Sequence, residues 1–383
     1  MSATNRLPAR TGPIILAAIG LAIGLAWLAV VFLRYRQGEV TDGAWVYAFG
    51  GLWGYDFESY MLAATRLIDE GTLYHEATLD GPYRPGPYGL YYYSPVLGVA
   101  LSPLVDLSIA DSSALWFVIR VAALVAACAL LPVKPIVRVF AFVVATLSLA
   151  TIEDLVLGNV SVLLLLPMAM AWRWLDRPLG SIAQAVAMSV RPMLGILLIW
   201  QLLRRQWKAV AWTFGAGLVL ILLTLPFVGV GGYVDYLTVL RNLSGVSGVE
   251  FNYDLSTTAL SLGASDTVAT VALVAGYAVA IAAMLLSLRR DREIGFMVTL
   301  MASLLLSPLL WDHYLVALIL PAAFLAQRGR SWALLLPLAA WLPVEAYPFV
   351  VVVAMFLPFL ARAPEPQSEV DALEMRGAGA GAG

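Results

Sequence analysis

Residues 14–33 read IILAAIGLAIGLAWLAVVFL, an unbroken apolar run closed by Arg34. Its length matches the roughly 20 residues with which an α-helix crosses about 30 Å of hydrocarbon. The run is too long for the core of a signal peptide and no small-residue cleavage site follows it, so it reads as a retained membrane span. The rest of the chain has the same character: of 383 residues, 61% are apolar and 13% charged, with a mean hydropathy of +0.85. Soluble domains carry about 25% charged residues, so the composition predicts an all-α polytopic membrane protein. The single cysteine, Cys128, sits in another apolar run, which excludes disulfides and cysteine-rich metal sites. A net charge of -2 offers no basic surface for nucleic acid.

Further apolar runs predict spans at 112–131, 136–151, 157–174, 207–228, 266–288, 294–310, 313–327, 331–343 and 346–361, after a first span at 13–33. Between 178 and 203 two short apolar segments flank Val190-Arg191-Pro192. Proline disfavours a continuous helix, so this region reads as a hairpin of half-helices with Arg191 near its tip. The total is about twelve membrane segments. The segment 91–106 (LYYYSPVLGVALSPLV) is apolar, yet the charge pattern requires both its ends on one side. It is expected to lie along the interface or to re-enter. The tail 363–383, with its Pro, Glu and Gly-Ala repeat, cannot bury a core and is expected to be disordered. Residues 1–362 read as a single membrane domain with two long outer loops, 34–111 and 229–265.

Lys and Arg set the orientation. Arg6/Arg10, Lys134/Arg138, Arg173/Arg177, Arg204/Arg205/Lys208, Arg289/Arg290/Arg292, Arg328/Arg330 and Arg362/Arg376 all fall on one side, which the positive-inside rule makes cytoplasmic together with both termini. Arg34 and Arg36 run against that pattern locally. Most Asp and Glu fall on the opposite face, so polar chemistry is expected outside the membrane.

Within the first outer loop, Gly54-Tyr55-Asp56-Phe57-Glu58-Ser59-Tyr60 opens a helical pattern over 57–70. Phe57, Tyr60, Met61, Ala64, Leu67 and Ile68 share one face, Glu58, Arg66, Asp69 and Glu70 lie largely on the other, and Gly71 suits the C-cap. Such a helix belongs at the membrane surface. Asp56 has two compatible readings, an N-cap for this helix and a rigidly held carboxylate that faces a substrate. The loop continues through Gly81-Pro82-Tyr83-Arg84-Pro85-Gly86-Pro87-Tyr88 to Tyr91-Tyr92-Tyr93-Ser94-Pro95. These aromatics read as an interfacial belt or as a platform for a sugar or lipid chain. Glu153-Asp154 precedes Gly158-Asn159 at a span start, where the carboxylates have solvation as the plain reading. Arg191, deep in an apolar segment, needs a partner: an internal carboxylate or the phosphate of a bound lipid. Late in the chain, Trp311-Asp312-His313-Tyr314 opens a segment at the outer surface. His313 reads either as a capping or belt residue or as a contact for a phosphate or sugar hydroxyl. No Asp-x-Asp or His-x-x-x-His spacing signals a metal.

Taken together, the acidic residue before an amphipathic helix, the Tyr/Pro-rich interfacial segment, Gly158-Asn159, Arg191-Pro192 and Trp311-Asp312-His313-Tyr314 resemble the glycosyltransferase-C superfamily. Within it the chain is similar to glycosyltransferase family 87, the polyprenol-phosphate-sugar-dependent enzymes, over roughly 13–361. The likeness is strongest to its α-1,2-mannosyltransferases of phosphatidylinositol mannoside synthesis. This chain carries Gly158-Asn159 and Arg191-Pro192 where members often carry Gly-Gln and Lys-Pro, changes that keep the chemical type. The resemblance implies a polyprenyl-phosphate-mannose donor and a phosphatidylinositol mannoside acceptor; no cofactor is expected, and a metal held by scattered carboxylates stays open without being signalled. It implies a monomer among membrane lipids, with the site on the outer face of the plasma membrane. Asp56 would be the base; Arg191 and His313 would stabilise the donor phosphate. Tyr60, Tyr83, Arg84, Tyr92, Asn159, Glu250 and Asn252 would contact substrate. Two alternatives stand beside this reading. One is an arabinofuranosyltransferase of the same family, which would share base and phosphate clamp. The other is a lipid or sugar transporter, against which the unlike settings of Arg120 and Arg191 argue.

Overall fold

In a computed structural model the described residues are 11–36, 39–41, 44–46, 54–81, 91–243 and 252–361. The architecture is helical, with one local exception. After α1 (Thr11–Arg36), strands β1 (Glu39–Thr41) and β2 (Ala44–Val46) form a small antiparallel hairpin with Val40 opposite Trp45.

α2 (Tyr55–Glu70) is the expected amphipathic helix. Phe57, Tyr60, Met61, Ala64 and Leu67 are buried, Asp69 and Glu70 are exposed, and Gly71 closes the helix in the left-handed region at φ 74°. Ile68 departs from the expected face and is exposed, because residue 68 sits at the edge of the buried stripe. The capping reading of Asp56 also gives way: Gly54, at φ 59°, occupies the N-cap, and Asp56 lies inside the first turn without capping it. α3 (Glu76–Leu79) is capped by His75, whose Nδ1 accepts the Ala77 N–H at 3.1 Å. α4 (Pro95–Leu101) runs on through a 3₁₀ turn at Ser102–Leu104. Together these ten residues, Pro95–Leu104, are too short to cross a bilayer.

α5 (Ile109–Leu130) is followed by α6 (Pro135–Leu147) and α7 (Leu149–Leu157), which meet at a 62° bend. The expected span 136–151 therefore turns at Ser148, and Glu153 and Asp154 stand on a helix rather than in a solvated loop end. α8 (Ser161–Arg173) leads to α9 (Pro178–Val190) and α10 (Ile196–Leu203), which are separated by Arg191 and a 3₁₀ turn at Pro192–Gly195. Proline at 192 has no N–H to continue the ladder, and the break falls where the Arg-Pro pair predicted it. α11 (Trp207–Leu243) is longer than its expected span. It passes through a non-helical Gly229 (φ 63°, ψ -178°) beyond Pro226, so the first part of the expected loop 229–265 is helix. α12 (Leu255–Ser261), α13 (Asp266–Ser287) and α14 (Arg292–Leu305) follow. A 3₁₀ segment at Asp312–Leu318 enters α15 (Ile319–Gln327), a second at Ser331–Trp341 follows, and α16 (Tyr347–Phe356) ends the described fold.

Among the described residues, α5, α11 and α13 are individually long and apolar enough to cross a membrane, with α6 and α7 as a fourth span if the bent pair counts as one. Their surfaces suit hydrocarbon. Phe214, Leu223 and Val230 on α11 and Val271, Val274 and Leu286 on α13 are all more than half exposed. Apolar area of that extent is stable against lipid and not against water. α14 is the opposite case, apolar on all sides and buried from Ile294 to Leu305 between α10, α13 and α16. α8 is enclosed by α5 and α9. The turn that begins α8 carries the polar residues described next.

Candidate active site

The site forms where the start of α2 docks on the turn between α7 and α8. The Gly54 N–H donates to Val156 O at 2.8 Å. The Phe57 ring stacks on Trp116 of α5 at 5.6 Å, and Trp116 Nε1 donates to Gly158 O at 2.7 Å. Gly158 closes α7 in the left-handed region at φ 80°. A Cβ there would lie 2.5 Å from the Phe57 Cβ and 3.1 Å from its backbone nitrogen. Only a glycine lets the two backbones approach this closely. From below, the fully buried Arg120 donates to the carbonyls of Asp154 (2.5 Å) and Leu155 (3.1 Å) and stands 3.7 Å from the Asp154 carboxylate. Asp154 Oδ2 accepts the Ser161 N–H at 2.7 Å, which ties the start of α8 to α7. Asp154 is thus a buried, ion-paired group, and the solvated reading holds for neither its charge nor its place.

This clamp presents Asn159 to three elements at once. Its Nδ2 donates to Asp56 Oδ2 at 2.7 Å and to the Tyr93 hydroxyl at 3.0 Å. Its Oδ1 accepts from Arg191 Nη2 at 2.7 Å and from the Val160 N–H at 2.7 Å. Donors on one side and acceptors on the other fix the amide's orientation. Arg191 Nη2 also donates to Ser161 Oγ at 2.6 Å, and the guanidinium lies 4.0 Å over the Tyr314 ring.

Arg191 is 6% exposed and, among the described residues, makes no ion pair; its Nε finds no hydrogen-bond partner there either. The internal-carboxylate reading of its partner is therefore corrected: its neighbours are an amide, a hydroxyl and a ring. A buried cation without a counter-ion is a poor structural element and a good receptor for an anion. Below it a narrow cleft of about 30 Å³ is lined by Leu164, Leu165, Met168, Leu300, Leu304 and Leu320. Arg191, Ser161 and Tyr314 make its polar side and the rest of its lining is apolar.

Asp56 is half-buried. Burial pushes its carboxyl above the usual carboxylate range, against the pull of His313, the Asn159 hydrogen bond and Arg191. His313 comes in from the far end of the chain. Asp312 Oδ1 accepts its backbone N–H at 2.6 Å and lies 3.1 Å from its Nδ1. His313 Nε2 is buried and without a partner among the described residues. No described group of three or more His, Cys, Asp or Glu side chains is arranged to hold a metal ion.

Asp56, Asn159, Arg191 and His313 are therefore neighbours although 257 positions separate the outermost pair in sequence (313 minus 56). Tyr60 joins them through Tyr93, whose ring it meets edge-on at 5.0 Å. The tyrosine that reaches Asn159 is Tyr93, one place along from the expected Tyr92, which is half-buried. An isolated run of three tyrosines carries no signal for which one turns inward. Ser161 was likewise hidden in an apolar run, whereas Tyr314 stood in the Trp311-Tyr314 motif with no role of its own. Asn252 is buried, and its amide is occupied by its surroundings: it donates to Asp254 and to Pro308 O and accepts the Leu310 N–H at 2.9 Å. It shapes the chain leading to His313. Tyr83, Arg84 and Glu250 lie outside the described residues.

A comparison with protein families matches the model of glycosyltransferase family 87 over residues 91–310, more than half of the chain. The chain belongs to glycosyltransferase family 87. It is a transferase built on membrane helices. Curated proteins give no match. The family 87 region contains Asn159 and Arg191, whereas Asp56 lies before it and His313 just after it. The hydrogen bond from Asn159 is what connects Asp56 to the family 87 core.

Proposed function

We propose that this family 87 enzyme transfers mannose, with inversion, from polyprenyl-phosphate-mannose to a phosphatidylinositol mannoside, extending the tetramannoside to the pentamannoside in α-1,2 linkage. The observation that carries this reading is the buried Arg191, without a direct ion pair among the described residues, joined through a single amide to the carboxylate of Asp56. A cation for a leaving phosphate and a base for an attacking hydroxyl are the two groups such a transfer needs.

In the proposed step, Asp56 takes the proton of the acceptor hydroxyl as its oxygen bonds to the anomeric carbon. The bond from that carbon to the phosphate oxygen breaks, and the electron pair leaves on polyprenyl phosphate. Attack opposite the leaving group converts a β-linked donor into an α-linked product. Glycosidases add a carboxylic acid to protonate a poor leaving group. A phosphate leaves as a weak base and needs charge stabilisation instead, the role proposed for Arg191 and His313. The lining beside Arg191, a cation next to mostly apolar side chains, matches the chemistry of a phosphate on a hydrocarbon chain, for which the cleft of about 30 Å³ would have to open. Tyr60, Tyr92, Asn159 and the loop residues Tyr83, Arg84 and Glu250 are proposed sugar or donor contacts, with Asn252 shaping the loop beside them. The accompanying topology is about twelve membrane segments in a monomer, with both termini in the cytoplasm and the site facing outward from the plasma membrane.

The test is transfer by purified protein in nanodiscs, wild type against Asp56→Asn, with polyprenyl-phosphate-mannose and phosphatidylinositol tetramannoside read by mass spectrometry. Pentamannoside from wild type and none from the folded variant is the expected result. Transfer that survives Asp56→Asn removes Asp56 as the base. Transfer from polyprenyl-phosphate-arabinose alone moves the donor to arabinofuranose. Silence with both donors sinks the transfer reading in favour of lipid transport.

A further inference from the structure

Glu153 is a buried acid that the transfer step leaves without a task. It stands on α7 with its Oε2 buried and without a hydrogen-bond partner among the described residues. Its carboxyl group lies within hydrogen-bond reach of the carboxyl group of Asp312. Two carboxylates cannot face each other at that separation with both charges intact, because neither offers a donor and the repulsion is not screened by water. A proton held between them removes both difficulties. Asp312 in turn has one oxygen on both the backbone N–H and the Nδ1 of His313. That contact spends one ring nitrogen and leaves Nε2, buried and without a partner among the described residues, as the ring's remaining hydrogen-bonding group.

We infer that Glu153 is a positioning residue for His313. It keeps a proton and donates it to Asp312, which stays an anion and holds the histidine proton on Nδ1. The imidazole is thereby locked in one tautomer and one orientation, with Nε2 kept for the site. A carboxylate behind a histidine commonly sets the tautomer of the ring. Here a second, protonated carboxyl sets the carboxylate. With the proton on Nδ1, Nε2 presents a lone pair, which meets a leaving phosphate favourably only once it too is protonated; that use rests on the transfer reading above, whereas the control of the tautomer does not.

The chain has two histidines, so His75→Asn leaves His313 as the sole reporter. Asn retains an N-cap acceptor for α3. In this background, ¹⁵N-histidine spectra of the full chain in nanodiscs are expected to show Nδ1 protonated. Glu153→Ala is expected to release the ring into a mixture of tautomers and to lower kcat at least 10-fold with little change in KM. Glu153→Gln, whose amide still donates, is expected to restore both. The infrared spectrum of wild type minus Glu153→Gln is expected to contain the carbonyl band of a protonated carboxylic acid. Absence of that band, or an Nε2-protonated ring in wild type, overturns the inference even if Glu153→Ala fails to fold. Identical ring spectra in wild type and Glu153→Ala overturn it too. None of these spectra requires turnover, so they stand or fall apart from the identity of donor and acceptor.

Discussion

Asn159 donates to Asp56 Oδ2 at 2.7 Å and receives Arg191 at 2.7 Å on its other atom, so one amide separates the anion of the site from its cation. Replacing it by Asp removes the donor from Asp56 and gives Arg191 a counter-ion. Asn159→Asp is expected to lower kcat/KM by about 10²–10³-fold, more than Asn159→Ala, because it adds repulsion to the loss of a hydrogen bond. Steady-state transfer assays on both variants check the order.

Asp56 gives a prediction with a sign in pH. Its carboxyl is shifted upward, chiefly by burial, so the proton is held more tightly in the folded chain than in the unfolded one. Activity, which needs the charged form, rises with pH through that shifted value. Stability moves the other way: the contribution of the neutral form is complete below the unfolded carboxylate range and is lost as pH rises through the folded value. Asp56→Asn is expected to remove the contribution of this group to both pH profiles, with kcat lower by about 10²–10⁴-fold and a Tm at neutral pH no lower than that of wild type. A Tm series from acid to neutral pH on the two proteins is the measurement.

Arg191 separates charge from shape. Arg191→Lys keeps the charge but forfeits the paired donors to Asn159 and Ser161 and the stacking on Tyr314. It is expected to lose roughly 10-fold in kcat/KM, against about 10²–10³-fold for Arg191→Met. Because Arg191→Met removes a buried unpaired charge, its Tm is expected to hold or rise. Binding of polyprenyl phosphate followed by calorimetry is expected to weaken in the same order as activity.

Gly158 and Gly71 form a matched pair. Both have positive φ, 80° and 74°, but a Cβ on Gly158 meets Phe57 whereas one on Gly71 meets nothing within 4 Å. Gly71→Ala is expected to lose about 1 kcal/mol and to keep full activity. Gly158→Ala adds a displacement of the start of α2, and with it of Asp56, and is expected to lose roughly 2–4 kcal/mol and most of kcat. Thermal unfolding alongside transfer assays separates the two effects.

Much of the site was readable wherever a residue contradicted its surroundings. Arg191 in an apolar segment, with proline after it, announced both a helix break and a buried charge. The buried face of α2 was equally plain, since a 16-residue amphipathic helix repeats its pattern several times. What stayed hidden was set by contacts distant in sequence. Tyr93 is distinguished from Tyr92 only by the placement of Asn159, which lies 66 residues away. Asp154 looked solvated until Arg120, 34 residues earlier, supplied its partner. Hydropathy could not see that the chain bends at Ser148 or that α11 resumes beyond Gly229, because both changes alter direction without altering composition.

The unbalanced guanidinium bears on traffic through the enzyme as well as on bond breaking. In the proposed reaction the lipid arrives with one negative charge and departs with nearly two. A buried cation that no carboxylate pairs with directly attracts the spent carrier more strongly than the fresh one. Turnover would then be paced by how quickly the emptied lipid is exchanged, and accumulation of that lipid in the membrane would slow the enzyme before either substrate ran short.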